Sequence, residues 1–186
     1  MTAPGDDWVQ QVIAFWTEET PRERWFKSTP ELDREIVARF GALHKQLREA
    51  GAGTNDQPGA REALASLIVL DQFSRNMFRG TPAAFACDPI ALAIARSAVA
   101  RGLDQSVAAN VRLFFYLPFE HSENRADQDR AVALFEALGD DNYLTYAKAH
   151  RDVVQRFGRF PHRNATLGRV STPEEVEFLK QPGSSF

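Results

Sequence analysis

The sequence of residues 88–102 reads Asp88-Pro89-Ile90-Ala91-Leu92-Ala93-Ile94-Ala95-Arg96-Ser97-Ala98-Val99-Ala100-Arg101-Gly102, and this stretch has the form of one complete helix. An aspartate is a favourable N-terminal capping residue, and the fixed backbone angle of a proline suits the first helical position. A glycine after the last apolar residues is typical of a left-handed C-terminal cap. The stretch therefore predicts a helix over residues 89–101, capped by Asp88.

The same signals mark other helices along the chain. A threonine precedes a proline at Thr20-Pro21, Thr29-Pro30, Thr81-Pro82 and Thr172-Pro173. Glu23 and Glu175 follow the first and last of these threonines by three residues, as in a reciprocal capping box. Together with glycines at 80, 102, 139 and 158, these signals predict helices over residues 8–18, 30–50, 60–79, 89–101, 105–117, 125–138, 142–157 and 173–180. We predict no strand, a loop at 51–59 and an irregular connection at 159–169.

A regular spacing suggests how these helices are arranged. The expected caps Asp88 and Asn124 are 36 residues apart, and so are the next pair of helix starts, Asp104 and Asp140. Two stacked helical hairpins would produce this spacing, which is close to the period of tetratricopeptide repeats. The predicted fold is therefore all-α, a tetratricopeptide-like array of antiparallel helical hairpins in a single domain, residues 1–186.

The composition excludes several classes of protein. The 186 residues include 22 Lys and Arg against 25 Asp and Glu, a net charge of −3, which argues against nucleic acid as the main partner. The single cysteine, Cys87, excludes an internal disulfide, and we expect it to pack in the core. No apolar stretch reaches the ~18 residues of a membrane span, and the first residues lack the pattern of a signal peptide. We therefore expect a soluble protein of the cytoplasm.

Charged residues enter the apolar face of the predicted helix 60–79. Five polar residues are spaced so that they would project from one side of a regular helix: Asp71, Gln72, Arg75, Asn76 and Arg79. Asp71 and Arg75 have the spacing of an ion pair. Two interpretations are open, a structural pair that ties helices together and the polar floor of a pocket.

The histidines mark three more candidate positions. His150 lies on the apolar face of the predicted helix 142–157, where a hydrogen-bonded core histidine and a functional histidine are both possible. Glu120 and His121 follow the helix-breaking Pro118 in a short turn. Residues 157–164 contain Arg159, His162, Arg163 and Asn164, and the guanidinium groups of the two arginines would either cap helix carbonyls or hold an anion.

Other chemistries have little support in the sequence. The potential metal ligands are His121, His150, His162, Glu120 and Asp71, and none has the local spacing of a known metal site. No nucleophile elbow accompanies a serine, no helper stands beside Cys87 in sequence, and no glycine-rich nucleotide loop occurs. We therefore expect no metal and no cofactor.

Three segments carry a resemblance to a known family: residues 70–80, 116–123 and 156–164, with Leu70-Asp71-Gln72-Phe73-Ser74-Arg75-Asn76, Pro118-Phe119-Glu120-His121 and Phe157-Gly158-Arg159-Phe160-Pro161-His162-Arg163-Asn164 as their central parts. They resemble the signature blocks of the bacterial domain-of-unknown-function family numbered 924, and the likeness extends over nearly the whole chain. The resemblance implies a tetratricopeptide-like helical fold and no particular reaction, so function has to be argued from the residues themselves.

The leading hypothesis is one polar pocket that binds a small anionic molecule. Its proposed lining comprises Asp71, Arg75, Asn76, Glu120, His121, His150, Arg159, His162, Arg163 and Asn164. If the pocket is catalytic, His150 or His121 is the general acid or base, oriented by Asp71 or Glu120. One alternative is an interaction module that binds a protein or peptide, with the polar residues only locking the helices. A third is RNA or DNA binding through residues 148–169, which contain six Lys or Arg and one acidic residue.

Overall fold

The computed structural model describes residues 7–51 and 58–185, and in these ranges it is all-α, without a strand. The described residues form two compact units, one within Met1–Arg79 and Ala83–Pro118, the other within Gly80–Pro82 and Phe119–Phe186. The all-α prediction is confirmed. The single domain and the tetratricopeptide-like arrangement stay predictions, and most of the predicted loop at 51–59 lies outside the described residues.

The first unit contains six α-helices, which are α1 (Asp7–Ala14), α2 (Pro30–Ala50), α3 (Ala60–Leu67), α4 (Ser74–Met77), α5 (Asp88–Ala100) and α6 (Ala109–Arg112). Its core is rich in aromatic rings. Phe73 lies 5.0 Å from Phe40 and 5.2 Å from Trp16 between ring centroids, and Phe15 lies 5.1 Å from Phe40. Tilted and edge-on aromatic pairs of this kind bury large apolar areas and fix the helices against one another.

The predicted helices 8–18 and 60–79 each change their hydrogen-bonding pattern part of the way along. After α1 the chain forms a π-helical turn at Phe15–Glu19, and after α3 it forms another at Ile68–Phe73. The hydroxyl of Thr20 donates to the carbonyl of Phe15 at 2.8 Å and closes the first π-turn. The predicted capping box of Thr20 and Glu23 is therefore wrong, because only a 3-10 turn at Arg22–Arg24 follows.

The predicted helix 105–117 is also wrong as a continuous element. The chain instead forms a 3-10 turn at Leu103–Ser106, then α6, a second 3-10 turn at Leu113–Phe115 and the short helix α7 (Leu117–Glu120). The side chain of Asp104 is buried and accepts a 2.7 Å hydrogen bond from the hydroxyl of Tyr116, so it caps no helix. A tertiary hydrogen bond has replaced the expected local one.

The second unit is built on an antiparallel hairpin of α8 (Arg125–Leu138) and α9 (Asp141–Phe157). Arg125 at the start of α8 donates to the carbonyl of Gln155 near the end of α9, at 3.0 Å, so the two helices run in opposite directions. Gly139 and Asp140 form the connection. A 3-10 turn at Pro161–Arg163 and the helix α10 (Pro173–Leu179) complete this unit.

The observed helix caps agree with only some of the helix starts on which the 36-residue spacing was based. Asn124 and Asp140 cap α8 and α9 as predicted, and Thr172 with Glu175 forms the predicted capping box of α10. Asp88 is instead the first residue of α5, and Cys87 occupies the N-cap position. Because Asp88 and Asp104 are not caps, the two 36-residue intervals do not join equivalent positions.

One helical stretch among the described residues, Pro82–Ala100, is long and apolar enough by composition to span a membrane, with a mean hydropathy of 1.5. It is not one α-helix, because a 3-10 turn at Pro82–Phe85 precedes α5. The 13 residues of α5 rise about 20 Å, which is less than the roughly 30 Å of a bilayer core. The buried residues of α5 are Ala91, Ala95 and Ala98, which lie on one side of the helix.

Candidate functional site

In the first unit, Arg75 joins two carboxylates. Its guanidinium lies 3.1 Å from Oδ1 of Asp71 and forms a forked pair with Asp88 at 3.1 and 3.3 Å. It also donates to the carbonyl of Asp71 at 2.8 Å. Burial lowers the pKa of Arg75, but Asp71 and Asp88 more than offset this and the pKa is raised. The predicted ion pair of Asp71 and Arg75 is confirmed. Asp88, which the sequence pattern indicated as a helix cap, is a second partner of Arg75.

Asn76 belongs to a different group of side chains. Its amide donates at 2.8 Å both to the hydroxyl of Ser28 and to Oδ1 of Asp33. Arg79 donates to the two oxygens of the same carboxylate at 3.0 and 3.2 Å. The π-turn at Ile68–Phe73 lies within the segment that was expected to present one continuous face, and the polar residues are divided between Asp88 and Asp33.

A buried trio in the first unit contains the cysteine. Nε2 of His44 lies 2.8 Å from the hydroxyl of Ser74 and 3.7 Å from Sγ of Cys87. Ser74 donates its proton to the carbonyl of Leu70 at 2.6 Å, so its oxygen must accept from Nε2 of His44. His44 is therefore a neighbour of Cys87 in space, although the two residues are 43 positions apart in the chain. Its protonated Nε2 cannot act as a base toward the thiol. Burial raises the pKa of the Cys87 thiol, which is consistent with a packing role.

In the second unit, three candidate residues pack against the ring of Phe160, and a fourth packs against one of these three. The ring centroids of His150 and His162 each lie 5.6 Å from that of Phe160, and the Arg163 guanidinium carbon lies 4.6 Å from it. His121 lies 6.4 Å from His150 between ring centroids. We call His121, His150, His162 and Arg163 the histidine cluster. His150 and Arg163 are buried, whereas His121 and His162 are partly exposed.

The contacts of His150 determine which ring nitrogen carries the proton. Nδ1 lies 2.9 Å from the carbonyl of Tyr146 and 3.2 Å from Oε1 of Glu120. A carbonyl oxygen can only accept, so Nδ1 must carry a proton. Burial, with smaller contributions from His121, Arg163 and His162, lowers the pKa of His150 to about 3. At neutral pH the ring is therefore uncharged, protonated on Nδ1, with a lone pair on Nε2.

His162 lies in a similar environment. Burial and then the charge of Arg163 lower its pKa to about 4. Both rings are thus neutral at pH 7, and Arg163 is the permanently charged member of the histidine cluster. The sequence identified all four members, but it did not identify Phe160 as the ring against which His150, His162 and Arg163 pack.

Further side chains hold the backbone of this region by hydrogen bonds. Glu123 accepts from the backbone nitrogen of Phe160 at 2.8 Å, and Arg169 donates to the carbonyl of Phe160 at 3.1 Å. Arg169 and Glu123 also form a forked ion pair at 2.7 and 2.9 Å. The side-chain amide of Gln128 donates to the carbonyls of Glu120 and Ser122, both at 2.6 Å. These bonds fix the two turns that present His121 and His162.

Arg159 and Asn164 make their contacts with α10 and the loop before it. The Arg159 guanidinium forms a forked pair with Glu175 at 2.6 and 2.7 Å and donates to the carbonyl of Val170 at 2.9 Å. The Asn164 amide donates to Ser171 at 3.0 Å and to Glu175 at 3.2 Å. The hydrogen bond from Arg159 is the main cause that lowers the pKa of Glu175 to about 2. Neither of the two expected roles of Arg159, anion clamp or helix cap, accounts for this carboxylate partner.

The predicted site residues thus form separate groups. His121, His150, His162 and Arg163 lie together, with Glu120 in contact with His150. Arg159 and Asn164 share Glu175 instead. Asp71, Arg75 and Asn76 make the first-unit contacts given above, and their membership of one pocket with the histidine cluster stays a prediction. In residues 7–51 and 58–185, no group of three or more His, Cys, Asp or Glu side chains could hold a metal ion.

Comparison with other proteins agrees with the resemblance of the signature segments. The family model described as "Bacterial protein of unknown function (DUF924)" matches residues 12–183. A solved structure of a protein of unknown function from Agrobacterium tumefaciens is 42% identical, covers 92% of this chain and 96% of its own, and superposes with a TM-score of 0.83. No curated protein matches. The chain therefore belongs to the bacterial family of unknown function DUF924.

Proposed function

We propose that the histidine cluster binds a small anionic molecule and that Arg163 is the cation that holds it. The supporting observation is that His150, His162 and the Arg163 guanidinium pack against the single ring of Phe160, with His121 next to His150. A guanidinium matches the geometry of carboxylate and phosphate oxygens. Neutral imidazoles add hydrogen-bonding groups without placing a second positive charge beside the guanidinium.

The electrostatics of the histidine cluster support the same proposal. The positive charge of Arg163 contributes to the low pKa of both His150 and His162, so its potential extends over the two rings. An anion placed beside Arg163 would offset that potential. The partial exposure of His121 and His162 allows a small solute to reach the edge of the cluster.

If the site is catalytic, we propose that His121 transfers the proton. A general base is most effective when its pKa lies near the working pH, and a pKa of about 3 makes His150 a weak base. His150 is better suited to accept a hydrogen bond. Glu120, 3.2 Å from Nδ1 of His150, orients that ring.

The proposal is tested by thermal unfolding and titration calorimetry with potassium phosphate at constant ionic strength. We expect phosphate to raise the melting temperature of the wild type and Arg163→Ala to lose that response. Arg159→Ala is the matched control, because it also removes a loop arginine, and Arg159 contacts Glu175 and not the histidine cluster. It should lower the melting temperature and keep the response to phosphate.

If phosphate and small carboxylates do not stabilise the wild type, or if Arg163→Ala keeps the full response, anion binding at this cluster is wrong. The interaction module, a tetratricopeptide-like surface for a protein or peptide, would then take its place.

We further propose that the protein works in the cytoplasm. The net charge of −3 makes nucleic acid a poor partner for the chain as a whole.

A further inference from the structure

We propose that a cleft in the first unit binds a small zwitterion, a molecule that carries an ammonium group and a carboxylate on an apolar carbon skeleton, as a free amino acid does. The proposal goes beyond the anion site and concerns different residues. It rests on the size of the cleft, on the apolar part of its lining and on two charges in the lining that the protein does not match.

The cleft is lined by the first π-turn, by the chain that follows it and by the start of α2. Its volume is about 370 Å³, within the range of about 300–1,000 Å³ that is usual for small-molecule pockets. Phe15, Pro21 and Leu32 are the apolar part of the lining, and Thr20 and Thr29 add hydroxyl groups. The charged residues of the lining are Glu19, Arg24, Glu31 and Glu35.

One carboxylate in the cleft is not matched by a cation of its own. Glu19 and Glu35 share the guanidinium of Arg39, which forms a forked pair with Glu19 at 2.7 and 3.2 Å and a single contact with Glu35 at 3.3 Å. Glu31 has a separate partner, Arg34, at 2.9 Å. Two carboxylates against one guanidinium leave one negative charge in excess, and the weaker contact places this excess at Glu35.

The position of Arg39 is fixed by a second contact. Its guanidinium carbon lies 4.4 Å from the centroid of the Phe15 ring, an arrangement that holds a cation over an aromatic face. Stacking on Phe15 and the fork to Glu19 together keep Arg39 from turning towards Glu35. An ammonium group in the cleft would therefore find Glu35 as its carboxylate partner.

Arg24 supplies the unmatched positive charge. Its side chain is exposed, and no ion pair or side-chain hydrogen bond within residues 7–51 and 58–185 involves its guanidinium. Arg24 and Glu35 thus line one cleft without contacting each other. A simple anion or a simple cation would match only one of them. A zwitterion matches both, because a guanidinium fork fits a carboxylate and a carboxylate fits an ammonium group.

The apolar part of the lining determines which zwitterions fit best. A carbon skeleton of several CH₂ or CH₃ groups would remove apolar surface of Pro21 and Leu32 from water, and glycine could not. Leucine and ε-aminocaproate are therefore suitable probes. Both have the two charges and an apolar skeleton, and they differ in the distance between the charges.

The test is titration of the ¹⁵N-labelled protein with leucine and with ε-aminocaproate, followed by backbone amide NMR shifts. We expect at least one of them to shift the amides of residues 15–35 up to saturation, and glycine to bind more weakly. Each probe has matched analogues that lack one charge: isocaproate and isoamylamine for leucine, caproate and amylamine for ε-aminocaproate. Each analogue should bind at least about threefold more weakly, which is the size of one exposed ion pair.

Two variants assign the two charges. Arg24→Ala should reduce the affinity for the zwitterion to that of the matching amine, and Glu35→Gln should reduce it to that of the matching carboxylate. Arg48→Ala and Glu49→Gln are the controls, because these exposed residues of α2 do not line the cleft, and both should keep the wild-type affinity. All four side chains are exposed, so the variants should fold, which circular dichroism checks.

Several results would overturn the inference. Neither zwitterion might shift residues 15–35, a singly charged analogue might bind as tightly as its zwitterion, or Arg24→Ala might keep the full affinity. Shifts at residues 159–164 in place of 15–35 would overturn it as well. The phosphate response that tests the anion site uses another probe and other residues, so either proposal can fail while the other stands.

Discussion

At the scale of single residues, the arginines of this chain differ in how their charge is matched. Arg159 meets Glu175 in a forked pair, and Arg75 lies between Asp71 and Asp88. A buried carboxylate that loses its cation costs much more than an exposed ion pair contributes, because an uncompensated charge stays in the interior. The free energy lost when one of these arginines is removed is therefore set mainly by how deeply its carboxylate partner is buried.

Arg75→Ala should lower the free energy of unfolding by about 3 kcal/mol, because Asp71, with 2% of its side chain exposed, would keep an uncompensated charge. The partial exposure of Arg75 places the loss at the lower end of the range for buried pairs. Urea unfolding at pH 7 measures it. Arg34→Ala, which removes an exposed pair with Glu31, is the control and should cost less than ~1 kcal/mol. A similar small loss at Arg75 would mean that Asp71 is compensated in another way.

The buried histidines predict a dependence of stability on pH. The pKa of His150 falls from 6.5 to about 3 and that of His162 to about 4, so the unfolded chain binds more protons below pH 6.5. The free energy of unfolding therefore has its full value above pH 6.5. It decreases towards pH 4 by about 1.4 kcal/mol per pH unit for each ring. Urea unfolding between pH 5 and 6 should show that His162→Gln reduces the slope by about one proton. An unchanged slope would contradict the lowered pKa of His162.

At the scale of elements, the π-turns decide where polar side chains point. A regular helix over residues 60–79 would place Asp71, Arg75 and Asn76 on one side, but residues 68–73 form a π-turn and change the register. Asp71 lies inside this turn, whereas Arg75 and Asn76 follow it in α4. π-turns are frequent at functional sites, so the two that follow α1 and α3 are the irregular elements of most interest.

Two glycines in helical contexts should respond to alanine with opposite sign. Gly139 ends α8 at a φ of 76°, and an added Cβ would meet no atom within 4 Å, so the cost of Gly139→Ala is conformational, about 1 kcal/mol. Gly41 lies inside α2, where Gly41→Ala should stabilise by about 0.5–1 kcal/mol. Thermal unfolding of both variants measures the difference. Equal effects would show that one of these backbone conformations is misassigned.

At the scale of the whole molecule, two compact units carry different polar groups. The first contains the ion triad of Asp71, Arg75 and Asp88, and the second contains the histidine cluster. Membership of the DUF924 family and the likeness to the structure from Agrobacterium tumefaciens extend over nearly the whole chain. The match to the family therefore includes both units, and the anion proposal concerns the second unit by itself.

A strong chelator should leave the melting temperature of the whole protein unchanged. The described residues contain no group of His, Cys, Asp and Glu side chains able to hold a metal ion. Chelator and buffer alone are compared by differential scanning calorimetry. A marked fall in melting temperature that zinc reverses would contradict the prediction, since loss of a structural metal removes folding free energy directly.

The sequence by itself determined the helical class, the family and those helix ends that depend on contacts three residues away. Thr29, Asn124, Asp140 and Thr172 act as caps because the side chain and the backbone N–H that it binds are neighbours in the chain. The same local reasoning failed for Asp88 and Asp104, because their partners Arg75 and Tyr116 are 13 and 12 residues away. Only the tertiary structure could decide such pairs. It placed the side chains of α9 and of the 3-10 turn around Phe160, and it set the proton of His150 through contacts with Tyr146 and Glu120. A side chain's partner and protonation depend on which groups surround it in space, and neither is encoded in the residues next to it in the chain.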